Sequence, residues 1–364
     1  MNLASANWYV QTLAFGSQGT LNATVRDSNV NAHGVIDFLK ASEGNLTINL
    51  LNSQIYVIQK FGGGNAQITL GTADTNLIAL EIGNDTVNVG SGKVDHLNAA
   101  GGNNTIITGI GAVGSILTGD GVDHVTVGAG GAGSINTNGG NDVLDLTNGG
   151  ADFIDAGDGN DTITIGANGA RFVVLGKGDD TISLGQMNPD SGVLIQGDDG
   201  VDTLDLSRFT VGVTLTLSQF GAWQDFGLVG AGFISVIGVE NLIGTDKSDS
   251  LEGNSSANRL TGGLGADSLS GLDGDDRLIG GKGADILTGG LGLDTFVFAA
   301  GDGSDRIKDF TLGDDHITIA GTHALADITF ARVGADVRLT VGTLQVLVEH
   351  MTVAALHDAT NFVF

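Results

Sequence analysis

Residues 262–290 read GGLGADSLSGLDGDDRLIGGKGADILTGG. Glycine opens every block of nine, at Gly262, Gly271, Gly280 and Gly289. Five places later stands an aspartate: Asp267, Asp276, Asp285 and Asp294. Two places beyond it stands one large apolar residue: Leu269, Leu278, Leu287 and Phe296. Further glycines keep the same beat, at Gly263, Gly281 and Gly290 and at Gly265, Gly274, Gly283 and Gly292. A block with one apolar residue cannot bury it alone, so such blocks must stack and bury it between them.

A second period runs upstream. GNDTVNV begins at Gly83, GNNTIIT at Gly102, GVDHVTV at Gly121, GNDVLDL at Gly140, GNDTITI at Gly159 and GDDTISL at Gly178, each 19 residues after the last. The acid positions are Asp85, Asn104, Asp123, Asp142, Asp161 and Asp180, and Asp202 follows after an insertion that holds the only proline, Pro189. Apolar residues then alternate, as in Val87 and Val89 or Ile163 and Ile165, which is the period of a strand with one buried face. A second apolar column recurs at Ile78, Leu97, Ile116, Ile135, Ile154 and Val173. Each turn thus supplies two short strands joined by glycine-rich corners. The expected architecture is all-β, a right-handed parallel β-helix or β-roll solenoid.

In such a coil the aspartates form a column, one strand spacing apart. Two carboxylates ~5 Å apart repel by roughly 3 kcal/mol at an effective dielectric near 20. Either the acids take up protons or cations sit between the turns. Calcium suits the second case, because it accepts many oxygens from both carboxylates and backbone carbonyls. The alternative is that the aspartates only shape turns by bonding nearby amides; the unbroken spacing favours metal.

The whole composition agrees. Fifteen basic and 42 acidic residues leave a net charge of −27. Nucleic acid and anionic membrane are poor partners for such a chain, and hard cations are good ones. With no cysteine among the 364 residues, disulfides and thiolate metal sites are excluded. No apolar run is long enough for a membrane-spanning helix. The N-terminus has no basic residue before Arg26 and does not read as a cleaved secretory signal.

The blocks GGLGADSLS, GLDGDDRLI, GGKGADILT and GGLGLDTFV match GGxGxDxUx, with U a large apolar residue. In this the chain resembles the RTX calcium-binding proteins. The resemblance implies calcium between repeats two apart, pairing Asp249 with Asp267, Asp267 with Asp285, and Asp276 with Asp294. Asn258 replaces the acid in GNSSANRLT. The segment GDGSDRIKDFTLGDDHITI resembles the closing stretch of an RTX roll, which implies that Asp305 and Asp315 bind a last calcium. Residues 344–364 resemble the uncleaved C-terminal signal read by type I secretion exporters. Calcium is then expected on one edge of the upstream coil and on both edges of the roll.

The expected organisation is an N-terminal cap or assembly segment (1–43), a coil of 19-residue repeats (44–202), connecting strands (203–243), the nonapeptide roll (244–298), and a C-terminal cap with the secretion signal (299–364). Trp8, Tyr9 and Phe15 lie in the first of these. The expected function is a secreted structural, surface-layer or matrix protein that folds on binding calcium outside the cell. Self-assembly or a cell-surface polysaccharide are the partners considered. A polysaccharide lyase or epimerase is the alternative, with Lys93, Asp95 and His96 as the only mixed cluster. The seven histidines include no HExxH pair, and no GxSxG elbow occurs. The 19-residue spacing also resembles ice-binding repeats of a bacterial adhesin, but the positions that would carry ranked threonine are Gly101, Asp120, Gly139, Asp158, Lys177 and Asp199.

Overall fold

A computed structural model describes residues 21–25, 35–36, 39–41, 45–50, 54–72, 74–186, 192–217, 223–225, 233–321 and 324–363. Trp8, Tyr9 and Phe15, most of the expected N-terminal segment, and Pro189 lie outside them. Almost every described element is a strand, and nearly all strands pair in parallel. The chain divides into two compact units, residues 1–181 with 191–200, and residues 182–190 with 201–364.

The first unit is a parallel β-solenoid of two facing sheets. One sheet stacks Leu46–Leu50, Ala66–Leu70, Thr86–Val89, Thr105–Ile107, His124–Thr126, Val143–Leu146 and Thr162–Ile165. The other stacks Val57–Lys60, Thr75–Leu80, Val94–Ala99, Val113–Leu117, Ala132–Asn136, Ala151–Asp158, Ala170–Lys177 and Gly192–Asp199. Register is one for one at the repeat spacing: Ile106 pairs with Val87 and with Val125, and Ile116 with Leu97 and with Ile135. The two apolar columns legible in the sequence therefore become ladders, and both are buried. Further strands at Leu21–Val25 and Leu39–Ala41 join the two sheets by parallel pairing.

The second unit stacks shorter turns. Asn241–Ile243, Arg259–Leu264, Arg277–Lys282, Thr295–Phe298 and His316–Ile319 form one sheet. Thr214–Thr216, Ser250–Glu252, Ser268–Asp273, Ile286–Leu291 and Ser304–Ile307 form the other. Its buried apolar residues form two columns, Leu260, Leu278 and Phe296 in the first sheet and Leu251, Leu269 and Leu287 in the second. The stretch expected to carry the export signal is built into the end of this unit. Leu344–Val348 pairs in parallel with Ser304–Ile307 and antiparallel with Asp336–Val341, and Phe362–Val363 pairs with Ile317 and Thr318.

Candidate metal centre

Each acid of the repeat directly precedes a strand, which places it at a corner where the preceding turn's backbone runs past. There it is buried: Asp85, Asp142, Asp161 and Asp180 are 1 % exposed, Asp123 and Asp202 0 %. Asp249, Asp267, Asp276, Asp285, Asp294, Asp305 and Asp315 are also buried, as are Asn104 and Asn258. The acids are not an exposed rail along the edge.

One oxygen of each is spent on the neighbouring turn. In the coil, Ala66 N–H donates to Asp85 Oδ1 at 2.6 Å and Asp85 N–H to Asn104 Oδ1 at 2.9 Å. Asn104, Asp123, Asp142 and Asp161 donate in the same way to Asp123, Asp142, Asp161 and Asp180, at 2.6–2.7 Å. In the second unit the ladder is double. On one edge Val213, Asp249, Asp267 and Asp285 donate to Asp249, Asp267, Asp285 and Asp305. On the other, Asn258, Asp276 and Asp294 donate to Asp276, Asp294 and Asp315. The pairs expected from the resemblance are thus brought together, one turn apart. The turn-former alternative was right that these carboxylates bond amides; the Oδ1 bond comes from the preceding turn, while Asp249 and Asp315 also accept the local Thr245 and Thr311 amides at 2.6 and 2.7 Å.

The second oxygen is the feature that matters. Oδ2 of Asp85, Asp123, Asp142, Asp161, Asp267, Asp276, Asp285, Asp294 and Asp305 is buried and accepts no hydrogen bond. Leaving a buried carboxylate oxygen unmatched is costly. Burial, followed by the charges of neighbouring aspartates, raises Asp267 and Asp276 to about 7. Asp161 and Asp305 are likewise pushed to about 7, chiefly by burial. Burial takes Asp123, Asp180, Asp285 and Asp294 to about 6, and raises Asp85, Asp142, Asp249 and Asp315.

Backbone oxygens converge on the same places. A Cβ built on Gly262 would lie 2.3 Å from Asp267 Oδ2 and 2.6 Å from the Gly280 carbonyl oxygen, so only glycine fits. Gly271, Gly280 and Gly289 stand in the same relation to Asp276, Asp285 and Asp294. Gly263, Gly281 and Gly290 follow them in the left-handed region, and Gly265, Gly274, Gly283 and Gly292 turn the next corner. Oxygen crowding without hydrogen suits a hard cation. Among the described residues no three histidine, aspartate or glutamate side chains cluster, so a cation here would draw on backbone carbonyls as well as the aspartates.

Three participants were missed in the sequence. Glu240 Oε2 accepts the Asp202 N–H at 3.0 Å, taking the place of the next aspartate after an irregular insertion. The Asp309 carboxylate accepts Gly289 and Gly290 N–H groups, both at 2.9 Å. Lys60 is 1 % exposed and donates to Gly62 and Ile82 carbonyls at 3.0 and 3.4 Å. Glu240 stands 18 residues before Asn258, on the acid register of the RTX segment, and Lys60 pairs with Leu80 on the coil's inward column, so spacing could have found both; Asp309 lies off the repeat. The Lys93, Asp95 and His96 cluster is a surface ion pair of 2.7 Å with His96 Nδ1 set 2.8 Å from Ser115 Oγ.

The RTX calcium-binding nonapeptide repeat family matches three overlapping stretches, 236–269, 261–296 and 270–307. Residues 236–307 carry RTX calcium-binding repeats. Calcium is therefore the cofactor of this RTX segment. No curated protein sequence matches the chain. Among solved structures, a subunit of the mannuronan C5-epimerase of Azotobacter vinelandii is 33% identical, over 33% of this chain and 79% of that one, with a TM-score of 0.28. The extracellular lipase of Serratia marcescens is 16% identical, over 59% of this chain and 40% of that one, with a TM-score of 0.26. At those scores neither likeness bears on function.

Proposed function

We propose that the chain is a secreted calcium-dependent solenoid with a structural role, as part of a surface layer, a filament or an extracellular matrix. The observation that carries this reading is the set of buried, donor-less Oδ2 atoms of Asp267, Asp276, Asp285, Asp294 and Asp305 in the RTX segment. Asp249, Asp267, Asp285 and Asp305 would hold calcium on one edge, and Asp276, Asp294 and Asp315 on the other. Calcium when bound supplies the positive charge and wide oxygen coordination these groups lack. Where calcium is scarce, the RTX segment of a chain of charge −27 stays loose; where it is abundant, folding of that segment is coupled to binding.

Export fits that switch. The C-terminal residues 344–364 resemble the type I signal, and a loose chain is the form such an exporter would carry. Self-assembly or a cell-surface polysaccharide are the partners that suit a long repetitive surface. No catalytic residue is assigned: Lys93 and Asp95 neutralise each other at the surface.

The test is circular dichroism of the full chain in EDTA, followed by calcium titration. A large gain of β signal on adding calcium is expected. An unchanged spectrum from EDTA to saturating calcium would count decisively against the proposal. Export from cells with and without a type I exporter, using the chain with and without its last turn of residues, tests the secretion step separately.

A further inference from the structure

Asn104 reports what its place in the column requires. Its Oδ1 accepts the Asp85 N–H like the aspartates above it. Its Nδ2 donates to three backbone carbonyls: Ala99 at 2.9 Å, Gly102 at 3.0 Å and Thr118 at 3.1 Å. The Thr118 carbonyl belongs to the next turn, so the amide group ties two turns together. Asp123, Asp142 and Asp161 occupy the same place one, two and three turns on, with Oδ1 bonded in the same way. Each presents a buried oxygen, not an N–H pair; that of Asp161 has no donor, and the Asp123 and Asp142 carboxyls are faced by the Thr118 and Thr137 hydroxyls. The strands that carry them pair one for one at the repeat spacing. Around Asp161 the residues at the offsets of the three carbonyls are Ala156, Gly159 and Leu175. A position that an amide donor fills with three carbonyl bonds demands positive charge when its occupant is a carboxylate.

We propose that the 19-residue coil, outside the RTX segment, holds a second divalent-cation column over Asp123, Asp142, Asp161 and Asp180. The Asn104 amide ends that column by taking the cation's place. Asp85, beyond this break, lies close enough to the buried Lys60 ammonium to feel its charge. Lys60 is itself held by two carbonyls. The coil is then metal-bound through its middle turns and closed on itself at its first acid turns, by one amide and one ammonium of its own. Two further consequences follow from the same chemistry. Replacing an aspartate of the column by asparagine removes an ion and supplies a substitute. Replacing Asn104 by aspartate creates a demand for one.

The experiment counts bound calcium on the full chain by equilibrium dialysis and native mass spectrometry, with melting in EDTA as a second readout. Asp142→Asn and Asp161→Asn should each lose about one ion and melt higher than the parent in EDTA. Asn104→Asp should gain about one ion and melt lower in EDTA. Because that variant is read by a gain of binding, poor folding cannot imitate the expected result. Asp276→Asn, in the RTX segment, is the reference arm. If it loses calcium while the three coil variants leave the count unchanged, this inference is overturned and the RTX reading stands. If the coil variants change the count and the reference arm does not, the reverse holds. A coil held by protons alone would give an unchanged count and a raised melting point in EDTA for the two asparagine variants, which also overturns the proposal.

Discussion

The 19-residue coil and the RTX segment solve the same problem with different materials. A coil turn such as 85–103 buries Val87, Val89, Val94, Leu97 and Ala99 behind one acid, Asp85. An RTX turn such as 267–284 buries Leu269 and Leu278 behind two, Asp267 and Asp276. Full burial of one such side chain contributes about 1.5–3 kcal/mol, while ordering each residue's backbone costs roughly 1–2 kcal/mol. The RTX turn therefore has much less apolar stabilisation per residue to set against that cost, and twice the buried charge. The coil is a hydrophobic solenoid with a polar seam; the RTX segment is held chiefly by what neutralises its seams. Within 104–141, Thr108, Thr118 and Thr137 take inward positions that Val89, Ala99 and Ala156 hold in adjoining turns.

Removing calcium should separate the two. In EDTA, backbone amides between 249 and 315 are expected to exchange hydrogen at least ~100-fold faster than with calcium, the loss of about 3 kcal/mol of local protection. Coil strands such as Ala151–Asp158 and Ala170–Lys177 should slow by far less on calcium addition. Hydrogen exchange read by mass spectrometry resolves the two regions in one sample. Equal loss in both would break the comparison, since it would mean that the coil's larger core confers no independence.

Acidity sharpens the same contrast without metal. The folded-state pKa of Asp267, Asp276 and Asp305 is about 7 and that of Asp285 and Asp294 about 6, all raised from 3.8 mainly by burial. A raised carboxyl pKa means that the folded chain binds more protons than the unfolded one between about pH 4 and 7. Stability of the metal-free protein must then fall as pH rises through that window and recover on acidification. The expected gain in Tm from pH 7.5 to 5 in EDTA is about 5 °C or more, greater for the RTX segment than for the coil. With saturating calcium the order should reverse, because protons then compete with the ion. A metal-free Tm that rises with pH would show that the buried carboxylates are not the controlling groups.

Much of this was written in the sequence, and what was not has a common cause. The strands, their register and the acid columns follow from two periods that any stacked coil must honour. So do the glycines that admit Asp267 and Asp276. What pattern could not show is depth. Spacing places Asp161 and Asp180 one turn apart but says nothing of the 2.6 Å bond from one backbone to the other's carboxylate, which exists only once the turns are closed. Glu240 reaches Asp202 across 38 residues, yet it stands 18 before Asn258; the downstream spacing carried the signal, and a glutamate in an aspartate's place masked it. Asn104 read as one of the acid positions from its spacing; that its amide donates to the Ala99, Gly102 and Thr118 carbonyls appears only in the structure. The final residues read as an export signal, and nothing in their composition announced that Leu344–Val348 would also lie in a sheet.

The smallest expected effect tests the corners themselves. Leu272 lies at φ +81°, where its counterparts Gly263, Gly281 and Gly290 lie at +113°, +92° and +110°. The left-handed region costs an ordinary residue roughly 1–2 kcal/mol, and 39 % of the Leu272 side chain is exposed, so it recovers little of that by burial. Glycine would relieve the strain while adding about 0.5–1 kcal/mol of freedom to the unfolded chain. Leu272→Gly should therefore stabilise the calcium-bound protein by about 0.5 kcal/mol in denaturant titration. The coil offers the control: Asn138 holds the matching corner at φ +59°, a conformation asparagine tolerates. Asn138→Gly should accordingly gain nothing. If Leu272→Gly destabilises by more than Asn138→Gly, the leucine is packing against something its exposure does not reveal, and the corners of the two regions differ in more than their backbone angles.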